Sequence, residues 1–264
     1  MRLPDSNLLQ AFWSALASAP RAALLLDYDG TLAPFHRDPA RARPYPGVDG
    51  LLERLGRLPG DRLVIVSGRA LDDLLPLLRL DVQPEFWGCH GRERRLPDGR
   101  YSFTPLPDAA QQALTEAEGW TATVAALGGH VERKPGSLAF HWRGLTPEDQ
   151  RALERELEQR FARLAQADTL EWHPFDGGIE LRAPGCDKGR AVRQVLDELG
   201  DRASVAYLGD DHTDEDAFAA LRGRGLGVLV RPRWRATAAD LWLRPPEGLR
   251  AFLARWADVR ERRR

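Results

Sequence analysis

The sequence predicts an α/β protein whose core is a doubly wound parallel sheet, with an α+β unit inserted part-way along the chain. Two observations carry this expectation. Short apolar runs alternate with segments of helical periodicity at both ends of the chain, the pattern of a parallel sheet covered on both faces. Between about Pro105 and Ala183 that rhythm gives way to helix, hairpin, helix, hairpin. The expected domains are therefore a Rossmann-like core, 1–105 with 184–264, and an insert, 106–183.

Taken in order, the leading MRLPDSNLLQAFWSALASAP has the small-residue tail of a signal peptide, but Arg2, Asp5 and further polar residues interrupt it, so it reads as an amphipathic helix. Ala22 to Leu26 is a buried strand entering Asp27. VDGLLERLGRL has helical spacing, and the second apolar run, Leu63 to Val66, ends at Ser67-Gly68-Arg69. ALDDLLPLLR reads as a helix kinked or stopped by Pro76. A strand at Phe86 to Gly88 leads into Cys89-His90-Gly91. Within the insert, Asp108 to Leu127 is helical, and His130 to Trp142 holds two alternating strands around Lys134-Pro135-Gly136. Thr146-Pro147 caps a long charged helix, and strands near Leu170 to His173 and Gly178 to Arg182 flank a turn. The core resumes with helix Lys188 to Leu199, strand Val205 to Leu208, helix Asp214 to Leu221 and strand Leu226 to Val230. The tail RERRR reads as a solvated end, and Trp120 and Trp172 as core residues of the insert.

Composition narrows the function classes. With 43% hydrophobic and 29% charged residues and a mean hydropathy of −0.43, the 264-residue chain reads as soluble and globular, without an apolar stretch that would span a membrane. The 38 basic and 39 acidic residues balance, so no positive field draws nucleic acid or an anionic membrane, and a small-molecule partner is expected. Cys89 and Cys186 are too few for a disulfide scaffold and read as reduced thiols of a cytoplasmic protein. Lys134 and Lys188 are the only lysines among those 38 basic residues, so each stands where arginine was not used.

In LLLDYDGTL, Asp27 and Asp29 leave a buried strand at its carboxyl end, where open α/β sheets gather ligands. Alternate residues of an extended chain face the same way, so the two acids share a side. Asp-x-Asp-Gly alone is also an ordinary turn signal. The segment LGDDHTDEDAF supplies context: Asp210 and Asp211 end another buried strand, and Asp214 opens the next helix. Placement in a helix's first turn accounts for Glu215 and Asp216, whereas acids stacked at a strand end repel one another unless a cation is present. A Mg²⁺ site shared by Asp27 and Asp210 relieves that cost. Ser67 and Gly68 offer a hydroxyl and backbone N–H groups for an anion, and Lys188 opens a helix where the macrodipole disfavours a cation, a broken local rule of the kind that marks sites.

These motifs, DYDGT, Ser67-Gly68-Arg69, Lys188 and GDDHTDE, stand in the order of the four motifs of haloacid dehalogenase superfamily phosphatases, and the resemblance spans nearly the whole chain. It implies Asp27 as nucleophile and Asp29 as general acid/base, with Lys188 completing the catalytic set. It further implies Mg²⁺ on the Asp27 carboxylate, the Asp29 backbone carbonyl and Asp210, with Asp214 and Asp211 behind. Ser67, Gly68, Lys188 and the backbone at Gly30 and Thr31 would hold the phosphoryl oxygens. GCHGRERR with His90, Gly91 and Glu93, HVERKPGSLAFHWR with Glu132, Lys134, His141 and Arg143, and GIELRAPGCDKG with Glu180 resemble the trehalose-6-phosphate phosphatases in particular. That resemblance implies that these residues bind the sugar and that the insert is a cap. It differs from the family at Trp142, where tyrosine is commoner. From the residues alone the reading ends at a polar sugar phosphate, leaving sucrose 6-phosphate, a glycosyl phosphoglycerate, or a non-catalytic sugar-phosphate sensor as alternatives.

Overall fold

The computed structural model describes residues 6–36, 38–164, 169–175 and 177–263. Residues 1–5 of the segment expected to form the leading helix, and the last residue of the basic tail, lie outside them. The chain divides into two compact units, Met1–Phe103 with Asp187–Arg264, and Thr104–Cys186.

The first unit is built on an eight-stranded sheet. Its first half supplies β1 (Ala22–Asp27), β2 (Arg62–Val66), β3 (Glu85–Gly88), β4 (Glu93–Arg95) and β5 (Tyr101–Phe103). After the insert come β10 (Ser204–Gly209), β11 (Leu226–Val230) and β12 (Leu241–Leu243). The order is β12-β11-β10-β1-β2-β3-β4-β5, parallel from β12 to β3 and antiparallel across β4 and β5. The doubly wound parallel sheet is as expected, and the antiparallel edge strands add to it what the sequence did not announce, because three-residue strands carry too little alternation to be recognised. The central strand alternates between two cores. Leu24 and Leu26 of β1 face a cluster with α1 (Ser6–Ser18), α2 (Val48–Gly56) and α9 (Glu247–Glu261), while Ala23 and Leu25 face α7 (Lys188–Leu199) and α8 (Glu215–Leu221). The run ALDDLLPLLR is α3 (Leu71–Leu74) followed by a 3₁₀ turn, Leu75–Leu77, where Pro76 stops the helix. Arg260 of the basic tail is buried in α9 rather than solvated, held by Asp61 and by the carbonyls of Leu16 and Ala19.

The second unit is a four-stranded antiparallel sheet, β6-β7-β9-β8, from β6 (His130–Lys134), β7 (Ser137–His141), β8 (Glu171–Phe175) and β9 (Gly178–Arg182). The helix expected over Asp108 to Leu127 is two, α4 (Asp108–Glu118) and α5 (Thr121–Ala126), parted where Trp120 turns inward to stack on Phe140. With α6 (Pro147–Leu164) they pack Trp120, Val124, Leu153 and Leu157 against Leu138, Phe140 and Leu181. One sheet face is therefore apolar and covered, and the alternate residues leave the polar side chains on the other. No helix among the described residues is long and apolar enough to cross a membrane.

Candidate active site

Parallel pairing brings the carboxyl ends of β10, β1 and β2 side by side, with Leu26 opposite Leu208 and Asp27 opposite Val66. Asp27 is the last residue of β1, Asp210 follows β10, and Ser67 follows β2. These are the strands where the sheet order reverses direction, the crevice position of doubly wound folds. Lys188 enters from the first turn of α7, whose N-cap Asp187 accepts the Arg190 N–H.

Asp27, Thr31, Ser67, Lys188, Asp210 and Asp214 are all buried. The Lys188 ammonium donates to Asp27 Oδ1 at 2.6 Å and to Asp214 Oδ1 at 2.7 Å. Burial opposes its charge, but the Asp214 and Asp27 carboxylates outweigh that and hold its pKa above the ordinary lysine range. Burial, then the neighbouring Asp214, pushes the Asp27 carboxyl above the usual aspartate range against the pull of Lys188. Asp210 is pushed up by burial and by Asp27 and Asp214. Carboxylate oxygens of Asp27, Asp210 and Asp214 lie within 4.8 Å of one another. Asp27 Oδ2 and Thr31 Oγ1 are buried without a hydrogen-bond partner among the described residues. Buried polar atoms are ordinarily satisfied, so two such atoms beside three acids fit a cation and an anion.

Asp214 is already well supplied: Oδ1 accepts Lys188 and the Tyr207 hydroxyl, and Oδ2 accepts the N–H groups of Asp210 and Asp211. It therefore braces the strand end from behind. Asp211 is half-buried, forms a capping box with Asp214 and stands outside the acid cluster. Asp29 is engaged by Arg69, whose Nε and Nη2 reach its two oxygens at 2.6 and 2.7 Å. Gly30 has φ +85°, and a Cβ there would lie 2.1 Å from Asp210 Oδ2, so only glycine lets the loop cross so close to the acid. Ser67 Oγ accepts the Arg69 N–H, which keeps its own proton available as a donor. Gly68 lies against the His90 ring.

On the insert's polar sheet face, Lys134 donates to Glu180 Oε1 at 3.3 Å and lies 3.8 Å from Glu132 Oε2. Ser137 and Arg182 also donate to Glu180. His141 Nε2 pairs with Glu132 Oε2 at 2.9 Å and stacks on His130 at 4.4 Å. Arg143 is exposed beyond the end of β7 and packs beside Gly177. The structure thus brings Glu132, Lys134, His141 and Glu180 together. His90, Gly91 and Glu93 belong to the first unit, where all three are buried.

A family profile described as trehalose-phosphatase matches residues 25–240. The chain belongs to the trehalose-phosphatase family of phosphoric monoester hydrolases. It is 34% identical to a trehalose-phosphate phosphatase of Mycobacterium avium (strain 104), over 99% of its own length and 68% of that protein's. It is 30% identical to a trehalose 6-phosphate phosphatase of Zea mays, over 92% and 72%. The chain spans between 58% and 68% of the length of the mycobacterial trehalose-phosphate phosphatases it matches. Its fold is shared with the C-terminal domain of C. albicans trehalose-6-phosphate phosphatase, at a TM-score of 0.73 and 22% identity over 96% of each chain. It is shared also with a haloacid dehalogenase-like hydrolase from B. subtilis, at 0.62 and 14% over 88% and 98%.

Three residues around this candidate site escape sequence reasoning. Arg69 is part of the Ser-Gly-Arg strand end but takes no role from it, because its partner Asp29 lies 40 residues away. Tyr207 sits inside a buried strand and reads as core until its hydroxyl is seen on Asp214 at 2.6 Å. Arg235 donates to the Asp211 carbonyl at 2.7 Å and pairs with Glu215, fixing the acidic loop. Neither Tyr207 nor Arg235 carries a motif signal.

Proposed function

We propose that this chain hydrolyses trehalose 6-phosphate to trehalose and inorganic phosphate through an aspartyl-phosphate on Asp27. The observation that carries the reading is the Asp27 carboxylate, buried at a strand end with Oδ1 tied to Lys188 and Oδ2 bare. The family match and the relatives named as trehalose-phosphate phosphatases support the substrate.

Asp27 attacks phosphorus in line with the ester oxygen, the phosphorus–oxygen bond to the sugar breaks, and Asp29 gives its proton to the departing alkoxide. Asp29 then takes a proton from the water that attacks the phosphorylated Asp27, releasing phosphate and restoring the carboxylate. To do either, Asp29 exchanges part of its Arg69 pairing for the reacting oxygen. Lys188, Ser67 and the backbone at Gly30, Thr31 and Gly68 hold the non-bridging oxygens and offset the charge on the transferring group. Asp27, Asp210 and the Asp29 carbonyl would hold Mg²⁺, with Asp214 and Asp211 behind them. When bound, the ion supplies charge stabilisation to the phosphoryl group. Glu132, Lys134, His141, Arg143 and Glu180 offer the donors and acceptors for the disaccharide hydroxyls.

A phosphate-release assay over trehalose 6-phosphate, sucrose 6-phosphate, glycosyl phosphoglycerates and a small aryl phosphate tests the reading. Trehalose 6-phosphate is expected to lead, and Lys134→Ala to lower its kcat/KM by about 10²-fold while sparing the aryl phosphate. Preference for another ester reassigns the substrate. Turnover of Asp27→Asn within about tenfold of wild type removes the nucleophile assignment. Exhaustive chelation is expected to abolish activity and Mg²⁺ to restore it; full activity in chelator makes the acids structural.

A further inference from the structure

Cys89 and His90 have φ of 47° and 53°, and Gly91 follows at 96°. They are the only non-glycine residues with positive φ among the described residues, and they are buried. A left-handed pair of this kind persists only where its surroundings over-determine it. Those surroundings are specific. The Cys89 N–H donates to the Arg69 carbonyl at 2.8 Å and the His90 N–H to the Ser67 carbonyl at 3.0 Å. Gly91 lies so close to the Asp187 carbonyl that a Cβ would be 2.7 Å from it. One turn therefore touches both the Ser67–Arg69 loop and the residue that caps the helix carrying Lys188.

The turn is held by Glu93, itself buried. Glu93 Oε2 accepts the Leu71 N–H at 2.9 Å and the Cys89 thiol at 3.2 Å, and Oε1 accepts the Tyr101 hydroxyl at 2.9 Å. These three partners donate, which suits a carboxylate. Two of them lie on either side of the gap between the loop after β2 and the turn after β3.

We propose that Glu93 is a positioning residue of the phosphate site. By pinning the Cys89–Gly91 turn in its left-handed form, it sets the spacing between Ser67 and Lys188 that one phosphoryl group requires. This rests on the reading of Ser67 and Lys188 as phosphate-holding groups, and it differs from the sugar contact that the family resemblance implies for Glu93.

The test measures thermal stability, inhibition by inorganic phosphate, and kcat/KM on trehalose 6-phosphate and on a small aryl phosphate, for wild type, Glu93→Ala and Glu93→Gln. Glu93→Ala is expected to weaken phosphate inhibition and to lower kcat/KM by about tenfold or more on both substrates in parallel. Glu93→Gln is expected to recover most of both, since its amide oxygen still reaches Leu71 and Cys89 while the Tyr101 hydroxyl turns to accept. A loss confined to the sugar phosphate overturns the proposal in favour of sugar contact. A lower Tm with phosphate inhibition and both kcat/KM values unchanged overturns it in favour of a purely structural role. If Glu93→Ala does not fold, Tyr101→Phe decides: it removes one partner at a largely exposed ring and is expected to weaken phosphate inhibition about threefold, and no change overturns the proposal. A wild type inert to both esters and to phosphate removes the proposed function and this inference together, whereas an active wild type with unaltered variants removes this inference alone.

Discussion

At Gly30 and Asp29 single atoms decide what the site tolerates. Gly30→Ala forces a left-handed backbone on alanine and a Cβ into the Asp210 carboxylate. A displacement of about 1 Å at a reacting centre costs about 10²-fold, so kcat at saturating Mg²⁺ is expected to fall by that order with circular dichroism unchanged. Wild-type kcat in this variant means that the loop and Asp210 move apart freely. Arg69 grips both oxygens of Asp29, a geometry that a lysine ammonium does not reproduce. Arg69→Ala is expected to lower kcat about tenfold through lost orientation of Asp29, the proposed acid/base, and Arg69→Lys to recover only part of it. Equal kcat in all three proteins would make the pair incidental.

Between elements, charged networks hold what apolar packing leaves open. Glu85 on β3 accepts from Arg62 of β2, from Arg94 of β4 and from the Trp87 indole, and Glu198 on α7 accepts both Arg94 Nη atoms and Arg62 Nη1. The antiparallel edge is thereby fastened to the helix that presents Lys188. Hydrogen bonds from Arg94 hold the Glu198 carboxyl down at about 2, against burial. A folded-state pKa below the unfolded one stabilises above the unfolded value, and that contribution is lost as pH falls from about 4.5 through about 2. Glu198 is partly exposed, so screening keeps the effect under about 1 kcal/mol. Urea melts are expected to show Glu198→Gln less stable than wild type at pH 7, with the gap narrowing toward pH 3. A gap that is constant with pH would place the loss in packing.

Across the whole molecule, the insert interrupts the sheet's strands only along the chain, and the candidate site draws on both halves: β1 comes from the first half and β10 from the second, paired side by side. The C-terminal helix closes the same unit. Arg260 on α9 makes a bidentate pair with Asp61, 199 residues earlier, and both side chains are buried. Removing one partner strands the other charge, so Arg260→Ala is expected to cost about 3–5 kcal/mol in denaturant titration. Its kcat per folded molecule is expected to match wild type, because the pair touches none of the reacting groups. A stability loss under about 1 kcal/mol would mean that water reaches Asp61.

What the sequence determined by itself was local. Strands buried on both faces announce themselves as apolar runs, and acids, serine or lysine at their ends or at the next helix start announce a crevice; Asp27, Ser67, Lys188 and Asp210 were all legible in this way and do converge. The polar face of the insert was legible too, because alternation puts Glu132 and Lys134 on one side, where Glu180 joins them. The tertiary structure alone decided the partners. Arg69 on Asp29, Tyr207 on Asp214, Glu93 on the Leu71 N–H and Arg260 on Asp61 depend on how strands register and helices dock. Periodicity and turn chemistry act over a few residues, whereas these contacts join groups from 7 to 199 residues apart that packing brings within 2.9 Å, so no spacing in the chain encodes them.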